Sequence, residues 1–429
     1  MSEWRQITLR DVGTVQSGFA FKSRDWAEVG VPVVKIQNVR GGRVNLTDCS
    51  FVPQAVAASA ADRYGLSRGD VLITMSGEIG SVGIVCSDTD ILLNQRVGRV
   101  RLNETDPVLL RFIGYALQRP ELKSLMVNIA YGVAQPNISP SLLESLPLQL
   151  PPRESQRIIG EVLGTIDDLI ENNRRRVEVL EEMARAVYRE WFVRFRYPGH
   201  ENVPLVDSPL GPIPEGWEIK VVGDLAVIDK GLSYKGVHLA ESGTPMANLK
   251  CLRPGGGFRR AGAKPYNGPF KPRHQVSIGD LVVANTDLTQ AGAVIGSPAF
   301  IPRKGFEDGG IASHHLFIVR PLEHVGKHWL YETFRDDRFR GYTRGVASGT
   351  TVLGFRPVDL ADFRLPVPPL ELARRFEEIA AGFADLSDGL ADLMEVLAFQ
   401  RDLLLPKLVT GQIDVSHLDL GAPTEAATA

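Results

Sequence analysis

Side chains that can grip a flat polar edge, or a phosphate, gather in a few turn-rich stretches of this sequence. The first stretches hold Phe21-Lys22, then Lys35, Gln37, Asn38, Arg40 and Arg43, then Thr74 and Ser76, then Gln95-Arg96, then Gln135 and Asn137. A later set holds Tyr234-Lys235, Asn248, Lys250, Arg253, Arg259, Arg260, Lys264, Asn285, Thr286, Gln290, His314, Thr350 and Thr351. Arg and Lys donate to paired acceptors, Asn and Gln both donate and accept, and hydroxyls or cations hold phosphate. For any single one of these residues a solvated loop explains its type equally well. As groups at matching places in two halves of the chain, they point to contact with a polar polymer. Lys22 and Lys235, each after an aromatic in a turn, read as phosphate contacts.

Motifs for catalysis are missing. Gly257-Phe-Arg-Arg-Ala-Gly-Ala-Lys264 lacks the Gly-Lys-Ser/Thr ending of a phosphate loop and reads as a basic loop. His324 and His328 have helical i,i+4 spacing, but no His-Glu-x-x-His pattern and no third ligand nearby accompany them. His314-His315 could touch phosphate or bases, or be solvated or core histidines. Neither a Ser-His-Asp pattern nor a carboxylate pair emerges, so no metal, cofactor or catalytic residue is expected in this chain.

These groups must be positioned by something, and two helix-like stretches stand out. From Pro151-Pro152 to about Phe195 apolar residues recur at steps of three and four: Ile159, Val162, Ile166, Leu169, then Val177, Leu180, Ala184 and Val187, with a change of phase near Asn173. From Pro368-Pro369 to about Val409 the pattern is cleaner: Phe376, Ile379, Phe383, Leu386, Leu390, Leu393, Leu397, Gln400, Leu404. A constant shift of 217 maps the second stretch onto the first, Phe383 onto Ile166 and Leu404 onto Val187 among them. At 1.5 Å per residue, about 43 residues make a rod of roughly 65 Å, long enough to act as a spacer.

The segments before the two rods also repeat. With a shift of 213, Trp4 falls on Trp217, Gly18 on Gly231, Lys22 on Lys235 and Pro32 on Pro245. With 210, Gly69-Asp70 falls on Gly279-Asp280, and with 219 Arg101 falls on Arg320; loop insertions and deletions account for the changing shift. Short strands are expected at Val31–Gln37, Gly69–Met75, Ile84–Cys86 and Val97–Leu102, and helices over Leu109–Leu117 and Glu121–Val127. The expected division is globule 1–150, rod 151–197, Pro-rich extended linker 198–216, globule 217–367, rod 368–410 and a C-terminal tail 411–429. The fold class is α+β: two duplicated mixed α/β globules joined by two long antiparallel coiled-coil helices with approximate two-fold symmetry. Duplex DNA has a matching two-fold, which paired readers exploit.

Composition sets outer bounds. Hydrophobic content of 44% with 23% charged residues is ordinary for globular chains. No run of eighteen apolar residues occurs, and Met1-Ser2-Glu3-Trp4-Arg5 carries no apolar leader core, so a cytoplasmic chain without membrane contact is expected. Three scattered cysteines, Cys49, Cys86 and Cys251, support neither a disulfide framework nor a zinc site. Net charge −3 rules out a polycation but leaves room for local basic stripes.

Four phrases give a family resemblance: Leu92-Leu-Asn-Gln-Arg-Val; Leu146-Pro-Leu-Gln-Leu-Pro-Pro-Arg-Glu-Ser-Gln-Arg-Ile; Trp191-Phe-Val-Arg-Phe with Asp207-Ser-Pro-Leu-Gly-Pro-Ile-Pro-Glu-Gly-Trp217; and Leu404-Leu-Pro-Lys-Leu-Val-Thr-Gly-Gln-Ile. Over about residues 3–415 the chain resembles the specificity subunit of type I restriction–modification enzymes. The resemblance implies two target-recognition domains, each reading half of a split double-stranded DNA site, with the loop groups above as DNA contacts. It implies two docked adenine-methyltransferase subunits bringing S-adenosylmethionine, and motor-nuclease subunits using ATP and magnesium. Seam residues Ile159, Ile166, Leu180, Phe383, Leu390 and Leu397 would serve the subunit interface. The halves differ where Asn94-Gln95-Arg96 faces Ser313-His314-His315, and Ile138-Ser-Pro faces Phe355-Arg-Pro, as divergent readers would. An Asn/Asp-Pro-Pro-aromatic methyltransferase motif is missing, so the chain alone is read as non-catalytic. The alternative is a coiled-coil interaction scaffold without DNA readout of its own.

Overall fold

The computed structural model describes residues 4–46, 49–131, 136–289, 291–350 and 352–418. The chain divides into two compact units: Met1–Arg175 with Ala391–Ala429, and Arg176–Leu390. Each unit therefore holds one globule, the opening half of one long helix and the closing half of the other.

Unit 1 is closed by its own first and last strands, Arg5–Thr8 pairing antiparallel with Pro147–Leu150. Its main sheet runs, in order, Gly13–Ser17, Val97–Leu102, Val71–Thr74, Val82–Ile84, Gly42–Val44 and Val39–Arg40. A second sheet runs Ser50–Val52, Val31–Val34, Ile91–Leu93 and Gly65–Leu66. Val71–Thr74 and Ile91–Leu93 are buried throughout, which is why they read as unbroken apolar runs and not as alternating ones. Helices Pro107–Ala116 and Pro120–Ile129 follow, each opened by a proline where a missing N–H costs nothing.

Unit 2 repeats the first four strands of the main sheet and all four of the second. Glu218–Val221 pairs with Arg364–Val367. One sheet runs Ala226–Lys230, Leu316–Pro321, Leu281–Ala284, Pro298–Phe300, and the other Lys264–Tyr266, Leu239–Ala247, Gly310–Ala312, Gln275–Val276. Helices Lys327–Arg335 and Asp337–Val346 occupy the same places in the chain as the pair in unit 1.

The long helices span Arg153–Tyr188 and Leu370–Val409, each starting just past its Pro-Pro pair. The first continues as one wider turn over Arg189–Val193 and stops where Phe195 takes φ 59°. In unit 1, Ile158, Ile159 and Leu163 from its opening turns share a core with Leu405, Leu408 and Val409 from the closing turns of the second helix. In unit 2, Tyr188 and Phe192 share a core with Leu372, Phe376 and Ala380. Head meets tail in each unit, so each contact is antiparallel.

Three expectations are corrected. The seam of the second helix is not uniformly buried: Phe376 is fully buried, Phe383, Leu390 and Leu397 are half-buried, and Leu386 is 60% exposed. A single helical neighbour shields a narrow arc, and the heptad supplies apolar residues over a wider one. Ile159 lies inside the unit 1 core and offers no surface to another subunit, while Ile166 and Leu180 are half-buried. The stretch 198–216 is not a plain extended linker: Leu205–Val206 pairs with Ile213–Pro214, and buried Tyr197 and Ile213 join Trp217 in the unit 2 core. Beyond the second long helix, Gly411 turns against the Trp4 indole and Val415 is buried in the unit 1 core. Residues 419–429 lie outside the described residues.

Candidate nucleic-acid interface

In each unit three strand ends converge at one edge of the sheets, and the bonds that hold them repeat. In unit 1 the Met75 amide donates to the Arg96 carbonyl at 3.0 Å, and the Ile138 amide donates to the Met75 carbonyl at 2.9 Å. In unit 2 the Asn285 amide donates to the His315 carbonyl at 3.0 Å, and the Phe355 amide donates to the Asn285 carbonyl at 3.0 Å. A fourth segment joins by a tight crossing. The Gln95 amide donates to the Phe19 carbonyl at 2.9 Å, as the His314 amide does to the Leu232 carbonyl at 2.8 Å. The crossing requires glycine beside it: a Cβ on Gly18 would sit 2.4 Å from the Leu93 carbonyl oxygen, and one on Gly231 2.2 Å from the Ser313 carbonyl oxygen. The Gly-Phe and Gly-Leu steps seen in the sequence are thus packing constraints.

On this shared frame sit different side chains. In unit 1 an exposed Arg96 donates from Nη1 to the buried Ser76 Oγ at 3.3 Å, with exposed Gln95 beside it. In unit 2 Thr286 Oγ1 and His315 Nδ1 share a hydrogen bond of 2.8 Å, and the His314 ring lies 3.9 Å from that of His315. In each unit one hydroxyl holds one end of an edge side chain, Arg96 or His315. Burial, then His314 and Lys230, hold His315 below the ordinary histidine value; burial and then Lys230 do the same for His314. Both rings are neutral at pH 7. Three of the eight buried side-chain polar atoms without a partner among the described residues fall here: Asn285 Oδ1, Ser313 Oγ and His314 Nδ1. Buried polar atoms are normally paired, so these three can take a partner from a ligand or from water.

A second loop in each unit carries cations. In unit 1 the strands Val39–Arg40 and Gly42–Val44 are joined through Gly41 and Gly42, at φ 59° and 81°. Gln37 and Arg40 are exposed on it, Arg40 lying 3.9 Å from Glu78. The unit 2 counterpart passes through Gly255, Gly256 and Gly257, all at positive φ, with Lys250, Arg253 and Arg259 exposed around it. Lys22 and Lys235 are exposed in turns of their own.

A model of the type I restriction modification DNA specificity domain matches residues 1–182. The MjaIX type I restriction enzyme specificity subunit of Methanocaldococcus jannaschii is 23% identical over 438 residues, which span 97% of this chain and 95% of that protein. Along its whole length the chain is thus similar to type I restriction–modification specificity subunits. The EcoBI specificity subunit of Escherichia coli is 28% identical over 243 residues, covering 54% of this chain and 48% of that one. In fold, the chain resembles the crystal structure of an S subunit from M. genitalium, at TM-score 0.54 and 15% identity over 95% of this chain and 96% of that one.

Within this family frame, several residues expected at the surface are turned inward. Phe21 packs in a core with Phe19 and Trp26. Asn38 is buried, accepting from the Lys35 amide at 2.9 Å and donating to the Asn45 carbonyl at 3.0 Å. Asn248 does the same work in unit 2, capping the turn through Lys250 and donating to the Gly262 carbonyl at 2.6 Å. The Thr74 hydroxyl bonds within its own turn to the Glu78 and Ser81 carbonyls. Asn285 Nδ2 donates to the His314 carbonyl at 3.0 Å. Short polar side chains next to turns satisfy nearby backbone first, which is the physical reason these expectations fail. Arg43 is drawn to Asp167 at 3.5 Å, and Lys35 lies over the Trp26 ring at 3.5 Å while donating to Ser50 at 2.8 Å.

The others remain in reach of a ligand. Asn137, Tyr234, Arg260, Lys264, Thr286 and His314 are half-buried, and Thr350 is exposed. Gln135, Gln290 and Thr351 lie outside the described residues. His315, weighed with His314 in the sequence, reaches this edge through Thr286, whereas Ser313 was not singled out; the alignment of Ser313-His314-His315 with Asn94-Gln95-Arg96 was the signal that could have found it. His328 is buried against Glu377, its Nδ1 2.8 Å from the carboxylate, and the described residues contain no cluster of three metal-ligating side chains. No helix among the described residues is long and apolar enough to cross a membrane.

Proposed function

We propose that this chain reads a two-part sequence in double-stranded DNA, one part per unit, and acts by positioning partners and not by catalysis. The observation that carries the reading is the duplicated convergence of strand ends, in which the same backbone bonds present Gln95-Arg96 in one unit and His314-His315 in the other. Arg96 matches the paired acceptors of a guanine edge, while neutral imidazoles suit a different base. Lys22, Arg40, Lys235, Arg253 and Arg259 supply phosphate contacts, so binding weakens steeply with salt. Two adenine-methyltransferase subunits, carrying S-adenosylmethionine, would each extrude an adenine from its half of the site. Motor-nuclease subunits, where present, bring ATP and magnesium. The exposed apolar side chains of Leu393, Val396, Phe399 and Leu403, spaced along one face of the second long helix, fit such a docked partner.

The test is a genome-wide map of methylated adenines in cells with and without this chain, its methyltransferase partner supplied. Loss of a two-part motif with one adenine marked in each half is the expected result. An unchanged map with an active partner would overturn the reading and favour a scaffold role.

A further inference from the structure

An arginine on a helix, buried in unit 1 and half-buried in unit 2, grips the glycine turn of the cationic loop in both units, from different places in the chain. In unit 1 Arg401, on the second long helix, is 6% exposed and donates through Nη1 to the Gly41 carbonyl at 3.0 Å. The same Nη1 meets Asp167 of the first long helix at 3.0 Å, and Nη2 meets Asp402 at 2.7 Å. Asp167 is itself buried, accepting from the Tyr115 hydroxyl at 2.8 Å and lying 3.5 Å from Arg43. Burial and then the Asp167 charge hold Tyr115 protonated, as this bond needs. The turn is packed on two sides, since a Cβ on Gly42 would lie 2.6 Å from Gln118 Oε1 and 3.4 Å from Arg401 Nη1.

In unit 2 the same job falls to a residue of the globule itself. Arg335 Nε donates to the Gly255 carbonyl at 3.3 Å, and its Nη1 meets the buried Glu332 at 2.9 Å. A Cβ on Gly256 would lie 3.1 Å from Arg335 Cδ. Gly42 and Gly255 correspond under the shift of 213 that relates the two globules, yet position 401 has no counterpart role in unit 2. A buried ion pair is no dependable source of stability, because desolvation offsets most of the attraction; a well-packed apolar pair serves as well or better. A device rebuilt on unrelated positions to hold the same turn therefore needs a reason beyond stability.

We propose that Arg401 and Arg335 are positioning residues for DNA reading: each fixes the turn that presents the exposed loop cations, Arg40 in unit 1 and Arg253 with Arg259 in unit 2. This rests on the DNA-reading assignment above. Its consequence is that recognition of the first half-site depends on a residue of the second long helix, 360 positions from the turn it holds. A planar guanidinium can serve the Gly41 carbonyl and two carboxylates at once, which a lysine ammonium on a flexible stem does poorly.

The experiment uses the full chain and duplexes carrying the two-part site found by methylation mapping, with either half scrambled. Melting temperature and discrimination at each half are read for Arg401→Lys, for Arg401→Met and for the double variant Asp167→Asn with Arg401→Met. The double variant leaves no buried charge unpaired, since Asp402 faces solvent and Arg43 keeps Glu171 at 3.9 Å, and it is expected to melt near the unmodified chain. Its first-half discrimination falls about tenfold or more, equivalent to about 1.4 kcal/mol, with the second half unchanged. Arg401→Lys follows the same split, and Arg335→Lys reverses it, losing the second half only. Full first-half discrimination in a normally melting double variant, or in Arg401→Lys, would overturn the proposal. Equal loss at both halves would do so too, since it marks a general structural effect. An unmodified chain that discriminates at neither half would instead bring down the DNA-reading assignment itself.

Discussion

The two units share strand order, crossing glycines and converging strand ends, and differ in almost every polar side chain mounted there. Ser76 with Arg96 stands against Thr286 with His315, and Arg401 with Asp167 against Arg335 with Glu332. The backbone bonds are held fixed because each strand end must satisfy its neighbour's amide and carbonyl away from water. The side chains above them take no part in those backbone bonds, so they are free to change. The difference shows a frame copied twice and a chemistry written separately on each copy.

The largest expected effect breaks one unit and spares the other. Phe376→Ala removes a fully buried ring from the unit 2 core and should cost about 3–5 kcal/mol. Calorimetry of the full chain should show one transition displaced and a second in place. A single transition that shifts as a whole would mean that the two units unfold as one.

Arg96→Ala and His315→Ala sharpen the comparison at the reading edge. Each should relax preference at one base of one half-site by about 1–3 kcal/mol, read by binding to duplexes varied one position at a time. Relaxation in the same half from both variants would contradict one reader per unit.

Acid should separate the units without any mutation. The imidazoles of His314 and His315 at the unit 2 edge titrate below the ordinary histidine value of about 6.5. They are neutral above that pH in folded and unfolded chain alike, so no stability is lost there. As pH falls below about 6.5 the unfolded chain takes up protons first, and unit 2 loses stability until the folded imidazoles are also protonated. The new charges face Lys230, Thr286 and Tyr234, and the protonated rings lose their acceptor nitrogens. Second-half preference should therefore change between pH 8 and pH 5.5 while the half read by Arg96 holds, with half-site binding at each pH as the check. Parallel changes in both halves would sink this asymmetry.

The smallest effect is electrostatic. Lys22→Gln and Lys235→Gln should each lower the salt slope of binding by about 0.9, with base preference untouched at either half. A changed preference would move these lysines from phosphate to base contacts.

Much of the frame was legible in the sequence because it depends on local periodicity and on repetition. Steps of three and four with opening Pro-Pro pairs located both long helices, and shifts of 210 to 219 exposed the duplicated globules. The candidate site was legible only as a neighbourhood. Gln37 and Asn38 are adjacent and chemically alike, yet one is exposed and the other is buried against the Asn45 carbonyl. Leu386 and Phe376 share one heptad pattern, yet only Phe376 meets a core. Composition and periodicity are properties of a segment, and they sufficed for element type and duplication, while the family resemblance rested on four motif phrases. Facing, burial and partnership depend on what other parts of the chain bring into the same few ångströms. Only the tertiary structure could place Arg401 on the Gly41 carbonyl, because that hydrogen bond joins residues 360 positions apart and leaves no trace in either neighbourhood.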